Sequence, residues 1–180
     1  LGFIVQHRTG ESIPSLANRL IFQPLQMNNS SFEPMTLNAY PYRALGHAGD
    51  QPKLIRRGEL TPDWTFNHNM VGAASLYSSA RDLAGYARAH FATQDNAGLA
   101  RAFADVARTQ FYRQKEAANI AWVTDTLADR QITYQVGYIG GYSSYIGFDK
   151  KNQNAVVVLQ NSFNWSNYLG HTILSQLAPR

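Results

Sequence analysis

Three glycines within five residues, Gly137, Gly140 and Gly141, close a β-branched and aromatic run and lead into Tyr142-Ser-Ser-Tyr145. Glycine weakens a strand interior, so such a cluster marks a bulge, a bend or a place where another backbone or a ligand comes close. A tight hairpin turn that meets no ligand accounts for the same spacing. Other chemistry-bearing patterns are missing: there is no G-x-S-x-G elbow, no phosphate-binding P-loop and no G-x-G-x-x-G. The five histidines, His7, His47, His68, His90 and His171, lie far apart and form no H-x-x-x-H pair. With no cysteine in the chain, a thiolate metal site, a disulfide framework and a cysteine nucleophile are excluded. No metal and no organic cofactor is implied.

The elements around that cluster read as antiparallel strands. Ala118 to Thr124, Arg130 to Tyr138, Ser143 to Phe148 and Ala155 to Gln160 are rich in β-branched and aromatic residues and are expected as strands. Lys150 to Asn154 reads as a hairpin loop, and short connections favour antiparallel neighbours. A final helix, from about Trp165 to Leu177, carries Leu169, Ile173 and Leu177 at spacings of four. Upstream, Ser79 as N-cap with Asp82 three residues on opens a helix and sets a carboxylate near its positive end. Its buried stripe is Leu83, Tyr86, Ala87 and either Phe91 or His90. A further helix runs from about Asn96 to Gln110, with Leu99, Phe103 and Val106 on one face.

Nearer the start, Leu1 to His7 form an apolar helix face stopped at Gly10, which suits the left-handed position after a helix. Ser12 caps the next helix, Pro14 sits in its first turn, and Leu16, Leu20 and Ile21 recur on its face until Pro24. Residues 28–69 are irregular, punctuated by Pro34, Pro41, Pro52 and Pro62, and loops this long are commonly functional. One domain of mixed α/β (α+β) class is expected over 1–180. It has a loop region at 28–69, and antiparallel strands with a C-terminal helix at 117–180.

Composition narrows the partners. The net charge of +4 comes from scattered basic residues, and the single tight cluster, Lys53, Arg56 and Arg57, reads as a solvated loop. No aromatic–basic interleaving or zinc-finger spacing follows it, so no nucleic-acid partner is expected. The longest apolar run, Ala155 to Leu159, falls far short of the roughly 18 residues of a membrane span. Leu1 is not Met and already lies in an apolar stretch, which reads as the opening of a fragment or processed chain.

Four stretches, in order, resemble the family of class C β-lactamases, penicillin-binding carboxypeptidases and related esterases. Leu1-Gly-Phe-Ile through Thr9-Gly10-Glu11-Ser12, with Ile21-Phe-Gln-Pro-Leu-Gln-Met27, is similar to that family's helix, Thr-Gly turn and "F-x-P-L-x-M" segment. Met70 to Leu83 resembles its "A-G-G-L-x-S-T-A-x-D-L" segment. Gly140-Gly-Tyr-Ser-Ser-Tyr145 resembles the hairpin of its third active-site motif, and Val156 to Asn161 the apolar strand that ends in Asn. The resemblance implies an incomplete β-lactamase/transpeptidase-like fold and hydrolysis through an acyl-serine of a β-lactam, a D-alanyl peptide or an ester. It further implies a small-molecule or peptidoglycan-like substrate and a periplasmic or secreted location.

By the same resemblance, Gln135, Val136 and Gly137 occupy the third triplet that aligns substrate, and the backbone N–H of Tyr138 is one donor of the oxyanion hole. Asn161 and Asn164 lie where the family meets substrate from the far end of its strand, with helix capping as the competing role. Two departures stand out. No serine is followed three residues on by lysine, and no tyrosine by asparagine two on, so the nucleophile and its partner are missing. Family order puts both upstream of the first helix, so the chain is expected to lack the N-terminal part of its domain and to be inactive alone. Ser162-Phe-Asn164 matches a Ser-x-Asn second motif but comes after the third, in the wrong order. Gln135, secondly, stands where Lys or His is expected; it keeps hydrogen-bonding capacity and loses the charge that attracts a substrate carboxylate. A non-catalytic chain that acts by binding is the alternative.

Overall fold

In the computed structural model the described residues are 1–50, 56–67, 69–91, 96–113, 115–164, 166 and 168–178. Six strands follow one another in a meander, each antiparallel to the next: β1 (Phe111–Tyr112), β2 (Glu116–Ala118), β3 (Val123–Leu127), β4 (Arg130–Ile139), β5 (Tyr142–Asp149) and β6 (Asn154–Gln160). The strands β4 to β6 match the sequence pattern within a residue or two. The expected strand from Ala118 to Thr124 does not exist as one element. A turn breaks it, closed by an Asn119 N–H to Trp122 carbonyl bond with Ala121 at φ 60°, and the halves pair with each other as β2 and β3.

Helices cover both faces. Helix α6 (Tyr168–Gln176) lies on the face that carries Ile132, Tyr134, Val136 and Tyr145, and Leu174 joins Ile132 and Tyr145 in the core. Phe148 is three residues from Tyr145 and therefore faces the other way. There it meets His90 of the α4 end and Trp122, with ring centroids at 4.5 and 5.2 Å. Helix α4 (Ala80–Ala89) and helix α5 (Ala97–Ala107) cover that second face, and Phe103 of α5 packs on His90. Ile132, Phe148 and Leu174 are almost wholly buried, each contributing about 1.5–3 kcal/mol of hydrophobic stabilisation.

Several helical expectations are corrected by packing. The stripe of α6 is rotated from Leu169, Ile173 and Leu177 to Gly170 and Leu174, because the Tyr145 ring fills the space over Gly170 and leaves no room for a Cβ. Leu169 and Leu177 are exposed. The helix begins at Tyr168; Trp165 lies outside the described residues, as do Lys53, Pro52 and His68. Helix α5 ends at Ala107, short of Gln110, since Gln110 bonds Ala118 beside the sheet. In α4 it is His90, not Phe91, that is buried.

The first part of the chain is looser. Helix α1 (Gly2–Thr9) ends with Gly10 in the left-handed region, and Ser12 caps α2 (Ile13–Ala17) by accepting from the Ser15 N–H. A wider turn over Asn18–Phe22 rotates Leu20 outward and buries Phe22, so Leu20 leaves the expected stripe. The described residues of 28–69 hold two single-turn helices, Pro34–Thr36 and Tyr40–Tyr42, and otherwise run as loop joined by isolated bridges. After the short α3 (Val71–Ala74), Ser79 caps α4 through the Asp82 N–H. The Asp82 carboxylate is buried and accepts from the Asn29 N–H at 2.8 Å and the Ser30 hydroxyl at 2.7 Å, so it pins the loop to the helix start.

Candidate functional site

The strand β4 outlasts its neighbour. Its pairing with β3 stops at Val123–Tyr134, whereas its pairing with β5 continues to Ile139–Tyr142. Both hairpins have two-residue turns, and the pair closing such a turn is hydrogen-bonded, with bonded pairs recurring every second residue. Thr133, Gln135, Gly137 and Ile139 therefore bond to β5. Val136 and Tyr138 direct their N–H and C=O toward the side that β3 has vacated, where no strand pairs with them among the described residues. An edge of this kind adds an extended ligand through main-chain hydrogen bonds.

Gln135 partly fills that vacancy. Its side-chain oxygen accepts from the Val136 N–H at 2.9 Å, and its side-chain nitrogen donates to the Ala121 carbonyl at 2.9 Å. The amide thus bridges the β4 edge to the β2–β3 turn. Gly137 faces Ser144 across the hairpin, whose hydroxyl occupies the space a Cβ would need. Tyr138 sets its ring edge-on to Phe163 at 6.0 Å.

The turn between β4 and β5 is Gly140–Gly141, at φ 50° and 81°. Both central residues with positive φ make the turn type whose twist matches the strands, and glycine is the residue that enters it without strain. Close approach operates as well. The loop at Gly46–His47 crosses over the turn so tightly that a Cβ on Gly46 would overlap the Gly140 carbonyl, and one on Gly141 the backbone of Gly46 and His47. The His47 N–H donates to the Gly141 and Asn161 carbonyls at 3.0 Å each, and the Thr61 hydroxyl to the Gly140 carbonyl at 3.0 Å.

A second clamp holds Tyr142. Its hydroxyl donates to the Ala44 carbonyl at 2.8 Å and lies 3.3 Å from Asp63, which pairs with Arg43 at 2.7 Å. Burial first, and the Asp63 charge second, push the Tyr142 phenol up. The same causes in the same order push Tyr77 up to about 12. The bond to Asp63 keeps the Arg43 guanidinium protonated, and its positive face lies 4.3 Å from the Tyr40 ring centre.

Beyond β6, Asn161 donates its side-chain N–H to the Leu45 carbonyl at 3.1 Å, and Asn164 donates to the Ser162 hydroxyl at 3.3 Å. The Asn164 N–H donates to the Ser143 hydroxyl at 2.6 Å. Neither caps α6, whose first turn is met by Ser166. The fold therefore brings Gln135 to Tyr138 onto one edge and gathers Asn161 and Asn164 with His47 behind the turn. Reading of the sequence missed Arg43, His47, Thr61 and Asp63. The one available signal was Gly46, a glycine in an irregular loop. Two concavities, of about 460 and 530 Å³, lie elsewhere, the first under Phe22 and Met27 and the second under α5 beside Thr124 and Lys150. Among the described residues no three His, Asp or Glu side chains come together as metal ligands would. No helix there is long and apolar enough to cross a membrane.

Comparison with known proteins identifies the family and the fold. The family model described as Beta-lactamase matches residues 1–177. No curated protein matches the chain in sequence. Among solved structures, a class C beta-lactamase superposes with a TM-score of 0.81 at 17% identity, over 99% of this chain and 55% of its own. A beta-lactamase/D-alanine carboxypeptidase from Pseudomonas syringae gives 0.82 at 18%, over 99% and 57%. An octameric penicillin-binding protein homologue from Pyrococcus abyssi gives 0.75 at 20%, over 97% and 39%. At these identities the likeness is one of fold. The chain spans a little over half the length of the first two structures and 39% of the third.

Proposed function

We propose a function that starts from one fact: this chain belongs to the beta-lactamase family, which its residues 1–177 match. The proposal is that it forms the substrate-aligning part of a serine hydrolase acting on a β-lactam, a D-alanyl peptide or an ester. The observation that carries it is the β4 edge, where Val136 and Tyr138 turn their backbone groups away from β5 beyond the end of β3. A substrate lying along that edge accepts a hydrogen bond at its acyl oxygen from the Tyr138 N–H, which stabilises the charge that develops there. The serine comes from a segment outside these 180 residues, as part of the same domain. Its oxygen bonds to the acyl carbon, the leaving group departs with the proton, and water then cleaves the acyl-serine to the acid. Asn161 and Asn164, beyond β6 and behind the β4–β5 turn, are the further substrate contacts in this reading. A periplasmic or secreted location belongs to the same reading.

A second reading, a non-catalytic chain that acts by binding, is favoured by one observation: no Ser-x-x-Lys and no Tyr-x-Asn occurs in the sequence. Intact mass after incubation with a fluorescent penicillin or a fluorophosphonate separates the two. The 180-residue chain takes no covalent adduct, and the gene product that contains it takes one, on a serine upstream. An adduct on a serine of this chain would overturn the assignment of the nucleophile. An unlabelled gene product leaves the binding reading.

A further inference from the structure

The cavity of about 530 Å³ under α5 serves neither the β4 edge nor the clamp on the Gly140–Gly141 turn, and the strand register explains why it exists. Thr124 faces Thr133 across β3 and β4, and Thr133 faces Phe148 across β4 and β5. Two residues further along, Thr126 faces Gln131. Directly opposed residues, and those two apart on a strand, share one face of a sheet. These side chains therefore lie on the face that α5 covers, where the helix offers only Ala104 and Ala107 above them. Short helix side chains over threonine and glutamine leave the space unfilled, whereas Ile132 and Leu174 close the opposite face. A polar concavity of this size holds a small organic molecule.

Its lining is directional. The Asn119 side-chain N–H donates to the Ala107 carbonyl at 2.8 Å, which covers a group of the last α5 turn that would repel an anion. The Asn119 oxygen accepts from the Thr124 hydroxyl at 3.4 Å, so the Thr124 oxygen takes its 2.8 Å bond from the Thr133 hydroxyl. With its proton committed, the Thr133 oxygen is left as an acceptor for a ligand hydroxyl. Arg108, Lys150 and Lys151 line the solvent side, all exposed and none ion-paired among the described residues. Asp129 is the one carboxylate among the described lining residues. Of the acids nearby, Asp105 pairs with Arg101 and Asp149 with Arg130. Three cations against one carboxylate leave an excess of two positive charges, which matches a phosphate monoester at neutral pH.

We propose that this cavity is a binding site for a small polyhydroxylated phosphate monoester, a sugar phosphate in chemical class. Arg108, Lys150 and Lys151 hold the phosphate, and the Thr133 oxygen accepts a hydrogen bond from a sugar hydroxyl. The site lies at the β3–β4 turn end of the sheet, away from the Gly140–Gly141 turn, and does not rest on the hydrolase reading.

The test is titration calorimetry of the gene product that contains this chain, in phosphate-free buffer. The probes are glucose 6-phosphate, glucose and inorganic phosphate. Glucose 6-phosphate is expected to bind with a Kd below about 1 mM, and the other two at least about tenfold more weakly. Replacing both lysines, Lys150→Gln with Lys151→Gln, should weaken glucose 6-phosphate and inorganic phosphate alike by about tenfold or more, and Arg108→Gln alone by about fivefold. Thr133→Val keeps the β-branched shape of the strand residue and removes the acceptor. It should weaken glucose 6-phosphate by about fivefold and leave inorganic phosphate unchanged, a split that a general loss of packing would not produce. Thermal melts check that each variant is folded; all three cationic positions are exposed, so their variants keep the test open if Thr133→Val is not. Absence of binding at millimolar glucose 6-phosphate overturns the proposal. So does binding that ignores the loss of the lysines, or inorganic phosphate that binds as tightly as the sugar phosphate.

Discussion

The sheet with its helices and the loop-rich first part of the chain are built on different terms. Around β4 to β6, apolar residues are covered on both faces: Ile132 and Leu174 are wholly buried on one, and Phe148, Trp122 and Phe103 interlock around His90 on the other. In the first part, α1 and α3 bury no residue, and Leu1, Phe3, Ile4, Met35, Leu60, Trp64 and Met70 are all at least half exposed. The sheet stands on its own packing. The first part matters through what it clamps, the Gly140–Gly141 turn and the Tyr142 that follows.

Unequal packing predicts unequal mutational costs. Phe148→Ala should lower stability by about 3–5 kcal/mol, whereas Phe3→Ala should stay within about 0.5 kcal/mol. Urea denaturation of the 180-residue chain checks this, and equal costs would break the contrast. Acid probes the same core. Burial, aided by the positive charge of Lys150, lowers the His90 pKa from 6.5 to about 4. An unfolded chain takes up this proton near pH 6.5 while the folded one resists it, so stability is full above pH 6.5 and falls as pH drops toward 4. The loss is about 3 kcal/mol in total, and His90→Phe should remove that part of the pH dependence.

Smaller effects sharpen the boundary between the regions. Gly141→Ala meets both a φ of 81° and the backbone of the 46–47 loop, and should cost about 2 kcal/mol or more. Gly10→Ala, at φ 73° with open space around it, should cost about 1 kcal/mol. Thermal melts that rank the two the other way would contradict the clamp. Ser79→Ala removes the α4 cap and should cost about 1 kcal/mol by the same measurement.

Local chemistry made much of this legible in advance. Gly10 and Ser12 end and begin helices because single residues decide those positions, and β4, β5 and β6 follow from runs of β-branched and aromatic residues. What failed depended on distant partners. Ala121 enters a left-handed conformation that its side chain does not announce, which split the strand expected from Ala118 to Thr124. The α6 stripe moved to Gly170 and Leu174 because of Tyr145, a residue on another element. At the site, the sequence placed Gln135 to Tyr138 on one strand but was silent on Arg43, His47, Thr61 and Asp63. These reach the hairpin across sequence separations of about 80 residues or more, over which periodicity carries no information.

The central claim, that the vacated β4 edge holds the acyl group, is tested most directly by a crystal structure of the phosphonate-inhibited gene product. The phosphonyl oxygen should lie about 3 Å from the Tyr138 backbone nitrogen, with Gln135 still bridging Val136 and Ala121. A phosphonyl group seated away from β4, with the Tyr138 N–H turned to another partner, would contradict it.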